Sequence, residues 1–430
     1  MKTSSHTIID GHLAIGGFDT VKLAEKYNTP LYVTDEDRIR ERFRAFRDAF
    51  SEVKSDIYYA MKANGNLTIL KILMSEGAGV DVFSAGELYM ALLIGIDPQK
   101  ILFNGNSKTD EELMLAVKSG VSVSVDSIDE LEALGEIAAE IGKRSTIAFR
   151  VNPDISPETH PKISTGIRTS KFGIPHNQVL DAYQRAKTLA NIEIRGIHCH
   201  IGSQILKLDV FGEAMERMMD LVERLKVELG LDLDFVDIGG GLGIPYREDD
   251  VAPAPEDLAA IVLPIFKRRC QEIGVSPELI LEPGRYIVGD STVLLARVNT
   301  VKRAYRNFVG TDVGFNLLAR PMLYGSYHRI LVANKMELPA TETYTIVGPI
   351  CESGDILGED RNLPEIEKGD LIAILDTGAY GFSMSSQYNQ RPRCAEVIVS
   401  GGDAELMRYE EMVGDLIAKQ KIPDRLGSDI

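Results

Sequence analysis

Short runs rich in Val, Ile and Phe recur along the first two thirds of the chain, separated by longer segments in which apolar residues return with helical spacing. A short strand alternating with a longer helix is the pattern of parallel βα units. Eight such runs predict strands at 57–60, 80–84, 101–104, 121–125, 146–151, 192–199, 235–238 and 279–282. Between them, 108–118 carries Leu113, Ala116 and Val117 on one stripe. The segment 127–142 opens with Ser127 and, three residues on, Glu130, a capping-box pattern. Eight strands and eight helices predict a closed barrel, and the stretch 36–285 has the roughly 250 residues of a TIM-like (β/α)8 barrel. After Arg285 the pattern changes. Apolar and polar residues alternate in 292–301, 329–335, 343–348, 371–375 and 395–399, which predicts an antiparallel β domain over 286–430. Two strand-like stretches near the start, His12 to Ile15 and Leu31 to Thr34, join residues 1–35 to it. The predicted fold class is α/β plus all-β.

Composition narrows the functional classes. The 430 residues are 44% hydrophobic and 26% charged, which excludes a disordered or collagen-like chain. With 47 Lys and Arg against 64 Asp and Glu the net charge is −17, which repels nucleic acid and anionic membranes as partners. Four scattered cysteines without a Cys-x-x-Cys pair are too sparse for a disulfide framework. The first residues, MKTSSHTIID, lack the apolar stretch of a secretory signal, and no apolar run is long enough to span a membrane. A soluble, cytoplasmic protein is expected.

In such a barrel the active site lies at the C-terminal ends of the strands, so polar residues there carry the chemistry. Lys62 follows the first strand between Ala60, Met61 and Ala63; an amine in an apolar niche is a candidate Schiff-base nucleophile, and a strand-end lysine paired with a carboxylate is the plainer reading. The seventh strand runs into DIGGGLG, where Gly239, Gly240 and Gly241 let backbone N–H groups approach an anion. The eighth runs into LEPGR, adding Gly284 and the guanidinium of Arg285, and loops seven and eight are where barrels of this kind most often hold a phosphate. A dinucleotide fingerprint is excluded because Gly243 is followed by IPYREDD, which opens no helix. Glu282 points into the same mouth and needs a cation, a protonated heterocycle or Arg285 beside it. In HCHIGSQ, His198 and His200 are two apart on a strand and face the same way. They are either metal ligands, or one stacks on an aromatic cofactor and the other is structural.

A nucleophilic lysine, a phosphate cradle, an acid for a ring nitrogen and a flat stacking group together describe a pyridoxal 5′-phosphate site. The chain resembles the fold-type III pyridoxal phosphate decarboxylases of the alanine racemase-like barrel group, most closely the branch acting on meso-2,6-diaminopimelate. The resemblance rests on YYAMKAN, DVFSAGEL, NPDISPETHPKISTG with SKFG, HCHIGSQ, DIGGGLGIPY, LEPGR, CESGD, GAYG and YNQRPR, in that order. It implies that Lys62 joins the cofactor covalently and that His200 stacks on its ring. Ser203, Gly239 to Gly241, Gly284 and Arg285 would hold the phosphate, Tyr380 would close over it, and Glu282 would bond the ring nitrogen. Cys351 would donate a proton to the substrate carbon; Arg285, Arg320 and Tyr324 would grip a distal carboxylate, Glu352 would meet a distal ammonium, and Tyr380 would also touch substrate. It further implies a homodimer with composite active sites, Cys351 and Glu352 entering the partner's barrel and Lys171 pairing with Asp355. No metal is implied. One position departs from the family pattern: Phe315, Asn316 and Leu317 stand where Met-Asn-Asp or Met-Ser-Asp is usual, so an acid beside the substrate loop is missing. A decarboxylase of another amino acid, a metal-dependent hydrolase built on His198 and His200, and a pyridoxal phosphate carrier without turnover are the competing readings.

Overall fold

In a computed structural model, which describes residues 6–155 and 165–427, the chain divides into two compact units, residues 38–290 and residues 1–37 with 291–430. The stretch 156–164 of the NPDISPETHPKISTG motif lies outside the described residues.

The unit 38–290 is a closed parallel barrel. Its strands are Ser55–Ala60, Gly79–Val82, Ile101–Phe103, Ser122–Val125, Ser145–Asn152, Ile192–Cys199, Phe235–Asp237 and Glu278–Leu281. Each pairs in parallel with the next, and Leu279 opposite Ser55 closes the ring. A helix follows every strand, the last a single turn at Arg285–Val288. Helix Asp110–Ser119 buries Leu113, Ala116 and Val117, the stripe predicted for it. Its entry is a reciprocal box: Glu112 N–H donates to Thr109 Oγ1 at 3.2 Å, and Thr109 N–H donates to Glu112 Oε2 at 3.0 Å. Helix Ile128–Ile141 makes one half of its predicted box, Ser127 Oγ accepting the Glu130 N–H at 3.1 Å, while the Glu130 carboxylate serves the buried Lys108 amine, 2.7 Å away. Burial of that lysine is what draws the acid inward.

Inside the barrel, Tyr58, Leu102, Ala148 and Phe235 come from the odd strands and pack as one apolar layer with Ile280. Gly196 on the sixth strand makes room for it, since a Cβ there would meet the Phe235 ring at 2.3 Å. Side chains on a strand repeat every second residue. Two positions past Leu102, Ala148, Phe235 and Ile280 stand Asn104, Arg150, Asp237 and Glu282, and two past Gly79, Ser122 and Gly196 stand Asp81, Ser124 and His198. All seven are buried. The same alternation that builds the apolar floor therefore lays a polar layer over it.

The unit 1–37 with 291–430 is built on a mixed sheet. Thr292–Arg303 pairs antiparallel with Leu31–Asp35, Asn307–Thr311 and Leu371–Ile374, while Leu31–Asp35 with Ala395–Ser400 and Asn307–Thr311 with Glu342–Val347 run parallel. The long strand is apolar on both sides: Leu294, Ala296 and Val298 enter one core, Val293 and Leu295 the other. The alternation does not mark the strands at 356–363 and 403–408, which expose too many polar or charged positions to show a clear apolar face, nor that at 307–311, whose five residues NFVGT are too few and too mixed to show one. Leu317 is a core residue of this unit, 2% exposed, and its carbonyl accepts the Tyr32 hydroxyl at 2.6 Å. At the position that departs from the family pattern this chain therefore carries a packed core side chain.

Candidate active site

Lys62 sits in the single turn Met61–Ala63 that ends the first strand. Its neighbours Met61 and Ala63 are buried, but the amine itself pairs with the Asp81 carboxylate of the second strand and lies 5.6 Å over the Phe83 ring. The niche is thus not apolar throughout; the carboxylate pairing considered from the sequence is present in this chain. Asp81 is bridged onward by Asn104, whose Nδ2 donates to Asp81 Oδ1 at 2.7 Å and to Glu282 Oε1 at 2.5 Å. Burial pushes the Asp81 carboxyl up, the Glu282 charge adds to this, and Lys62 opposes both.

Glu282 is 3% exposed at the end of the eighth strand. Arg285 does not pair with it: its guanidinium donates to Tyr246 Oη at 2.7 Å and Ser203 Oγ at 3.0 Å. Burial alone would raise the Glu282 pKa, but His198, 3.4 Å away, together with Lys62 holds it well below the usual carboxylate range. Asp237 beside it is pushed the other way, by burial first and then by the Glu282 charge. Two neighbouring buried carboxyls are thus pushed in opposite directions, Glu282 toward the anion and Asp237 toward the proton-bound form.

The two histidines part company. His198 is fully buried on the strand, its Nδ1 2.8 Å from Ser124 Oγ, whereas His200 lies past the strand end, half-buried, its Nδ1 accepting the Gly240 N–H at 3.2 Å. The strand itself stops at Cys199. Burial, then Lys62 and Arg150, keeps the His200 ring neutral. Among the described residues the groups that converge as metal ligands do are His198, Asp237 and Glu282, within 4.8 Å of one another, without His200. Glu282 Oε1 is already taken by an N–H donor, and so is Asp237 Oδ1, by Gly239 N–H at 2.7 Å. Asp237 Oδ2 and His198 Nε2, by contrast, are buried without a hydrogen-bond partner.

The glycine triplet lines the loop after the seventh strand. Gly239 and Gly240 spend their N–H groups on Asp237 and His200, and their lack of a side chain serves close approach. A Cβ on Gly240 would meet the Glu282 carbonyl at 2.0 Å and one on Gly241 the Gly202 carbonyl at 2.5 Å. The loops after strands six, seven and eight therefore close onto one another around Ser203, Gly284 and Arg285. A phosphate placed there would meet a guanidinium and a hydroxyl already oriented toward each other.

Arg320, Tyr324, Cys351, Glu352 and Tyr380 belong to the other unit. Arg320 is 4% exposed, bonded to Ser326 Oγ at 3.1 Å, and 5.9 Å from the Tyr324 ring centre. Tyr380 takes a left-handed backbone, φ +57°, which for a tyrosine costs energy and is a mark of functional positions. Cys351 and Glu352 are exposed. Asp355 is 3% exposed, and its carboxylate accepts the N–H groups of Phe315 at 2.6 Å and Ile350 at 2.8 Å. Asp355 thus anchors its own loop rather than standing ready for Lys171. Sequence reasoning missed Asp81, Asn104, Arg150, Asp237 and Tyr246; counting in twos from the apolar floor of the barrel would have found the first four.

The pyridoxal binding domain of the pyridoxal-dependent decarboxylases matches residues 36–289. The chain belongs to this decarboxylase family. The decarboxylase is 53% identical to the diaminopimelate decarboxylase of Archaeoglobus fulgidus over 97% of this chain and 99% of the relative. It is 48% identical to that of Methanothermobacter thermautotrophicus over 97% of each chain. The crystal structure of Methanocaldococcus jannaschii diaminopimelate decarboxylase in complex with L-lysine superposes with a TM-score of 0.93 at 40% identity, covering 98% of both chains. The decarboxylase uses pyridoxal phosphate, and its residues fit that group: a buried carboxylate held anionic, an amine near it, a neutral imidazole, and a loop cradle that admits no side chains.

Proposed function

We propose that this enzyme converts meso-2,6-diaminopimelate to L-lysine and CO2, the closing step of lysine synthesis. The observation that carries the reading is the meeting of Lys62, Asn104, His198 and Glu282 over the barrel floor, with the Ser203–Arg285 cradle beside them. When bound, pyridoxal phosphate supplies an electron sink for the pair left behind as CO2 departs. Lys62 would hold the cofactor at its aldehyde carbon and take that place again as product leaves. Glu282, anionic and bonded by Asn104, keeps a proton on the ring nitrogen. Neutral His200 offers a flat face for the ring. Ser203, Gly239 to Gly241, Gly284 and Arg285 hold the phosphate, with Tyr380 closing over it. Cys351 delivers the proton to the carbon that lost CO2. Arg285, Arg320 and Tyr324 take the distal carboxylate and Glu352 the distal ammonium, so the substrate carries an amino acid group at each end. A decarboxylase of ornithine or arginine drew its support from Leu317, which is a core residue here.

The reading includes a homodimer with composite active sites, supported by the exposure of Cys351 and Glu352 in a single chain. Free cysteines throughout the described residues support a cytoplasmic setting, and no helix there is long and apolar enough to cross a membrane. CO2 release is measured with diaminopimelate, ornithine and arginine, with and without added pyridoxal phosphate. Turnover of diaminopimelate alone, dependent on the cofactor, is expected; comparable turnover of ornithine would overturn the substrate assignment. Mixing inactive Lys62→Ala and Cys351→Ala chains should restore about a quarter of wild-type activity if sites are shared between subunits, and no recovery after subunit exchange would count against composite sites.

A further inference from the structure

The motif YNQRPR has no role in the reading above, yet its first two residues stand against the two exposed groups assigned to substrate. Asn389 holds Cys351 at two points: Cys351 N–H donates to Asn389 Oδ1 at 2.9 Å, and Asn389 Nδ2 donates to Cys351 Sγ at 3.0 Å. The orientation of the amide follows from chemistry, because a backbone N–H can face only its oxygen, which leaves the NH2 for sulfur. Tyr388 Oη donates to Glu352 Oε1 at 2.9 Å and lies 3.9 Å from Cys351 Sγ. Consecutive residues thus meet consecutive residues.

We propose that Tyr388 and Asn389 are a positioning pair, Asn389 setting the direction of the Cys351 thiol and Tyr388 that of the Glu352 carboxylate. The inference rests on the roles given to Cys351 and Glu352 under the proposed function. Exposed hydrogen bonds of this kind contribute little net stability, so four of them on one short stretch serve geometry. A thiol on a single methylene has three staggered positions, and a proton donor that must reach the substrate carbon needs one of them. The backbone is shaped to make the contact: Asn389 is left-handed at φ +58°, a conformation that Asn tolerates better than most residues. The support behind the pair is continuous. Asp355 ties Ile350, next to Cys351, to Phe315, and the Phe315 ring packs 5.7 Å from the ring of Tyr388. The bond to Glu352, and then the neighbouring thiol, pushes the Tyr388 phenol up to about 12, so it remains a donor at neutral pH.

The test uses the full-length holoenzyme and two variants. Asn389→Asp keeps the acceptor for the Cys351 N–H and the left-handed backbone but turns an anion toward sulfur. Alkylation by iodoacetamide at neutral pH, followed at the Cys351 peptide, should slow about fivefold. The other thiols interfere little, since Cys199 and Cys394 are buried and burial pushes Cys270 up to about 11. In turnover, Asn389→Asp should lower kcat about tenfold at nearly unchanged KM, and Tyr388→Phe should raise KM for diaminopimelate about fivefold with kcat within twofold. Should Asn389→Asp fail to fold, Asn389→Gly keeps the backbone without the amide and must show the same loss of kcat. Wild-type alkylation rates in Asn389→Asp, or equal changes of kcat and KM in both variants, would overturn the pairing. A wild-type enzyme inactive on diaminopimelate would instead sink the proposed function, and the alkylation arm tells the two failures apart.

Discussion

The barrel mouth and the corner around Cys351 hold their functional groups by opposite means. In the mouth, Asp81, Asn104, His198, Asp237 and Glu282 are buried on barrel strands or at their ends, and each is fixed by the strand that carries it. At the corner, Cys351, Glu352, Tyr388 and Asn389 are exposed and are fixed by bonds to one another. Burial lets the mouth set ionisation: the same apolar floor that raises Asp237 makes the charges of His198 and Lys62 strong enough to lower Glu282. Exposure denies the corner that means and leaves it geometry. Cofactor electronics thus belongs to the scaffold, and choice of substrate to loops.

Breaking the mouth should cost most. Lys62→Ala is expected to abolish turnover and visible absorbance together, because no other amine among the described residues lies against Asp81 and Asn104. An active, coloured variant would refute the role. Glu282→Gln removes the anion while keeping the shape; steady-state kinetics should show kcat lower by about 100-fold or more with the protein still folded. If kcat holds, the ring nitrogen has no need of this carboxylate.

Leu317→Asp tests the other unit. The acid usual in the family would be buried here without a cation, and thermal unfolding should report a loss of about 3 kcal/mol or more. A variant as stable as the wild type would place Leu317 outside the core.

Glu87, at the start of the helix after the second strand, sharpens the role of burial. Its carboxylate accepts the Phe83 N–H at 2.7 Å, yet burial and then the Asp81 charge raise it to about 7. The folded state therefore holds this proton more tightly than the unfolded chain, so its contribution is full below the ordinary carboxylate pKa and is lost as pH rises to about 7. Glu87→Gln should remove that loss. The melting temperature of the variant should gain on the wild type across this window and then level, a change of at most about 3 kcal/mol. A pH-independent difference would contradict the assignment. Smallest of all should be Asp237→Asn, under about 1 kcal/mol by denaturant unfolding, because an amide replaces a carboxyl that is already protonated; a large loss would mean that Asp237 is charged.

The barrel was legible because its strands are short apolar runs and its helices carry caps and stripes, as 110–119 shows. The mouth was half legible. Lys62, Glu282 and His200 stand just past strands, where the eye is drawn by the rule of strand ends, while Arg150 and Asp237 hide inside runs of apolar residues and Asn104 is masked by the polar loop that follows it. The glycine triplet pointed to the right loop for a different reason, closeness of three loops rather than free N–H groups. The burial of Leu317 was not legible, because sequence alone does not say which way a side chain turns. The Asn389 clamp left no periodic trace, since it depends on two loops 38 residues apart meeting in space.

Borohydride reduction of the holoenzyme, followed by mass mapping of its peptides, tests the central claim most directly. The account predicts a single pyridoxyl phosphate adduct, on the peptide carrying Lys62, with loss of the visible band. An adduct on another lysine, or none in a protein that still decarboxylates diaminopimelate, would contradict it.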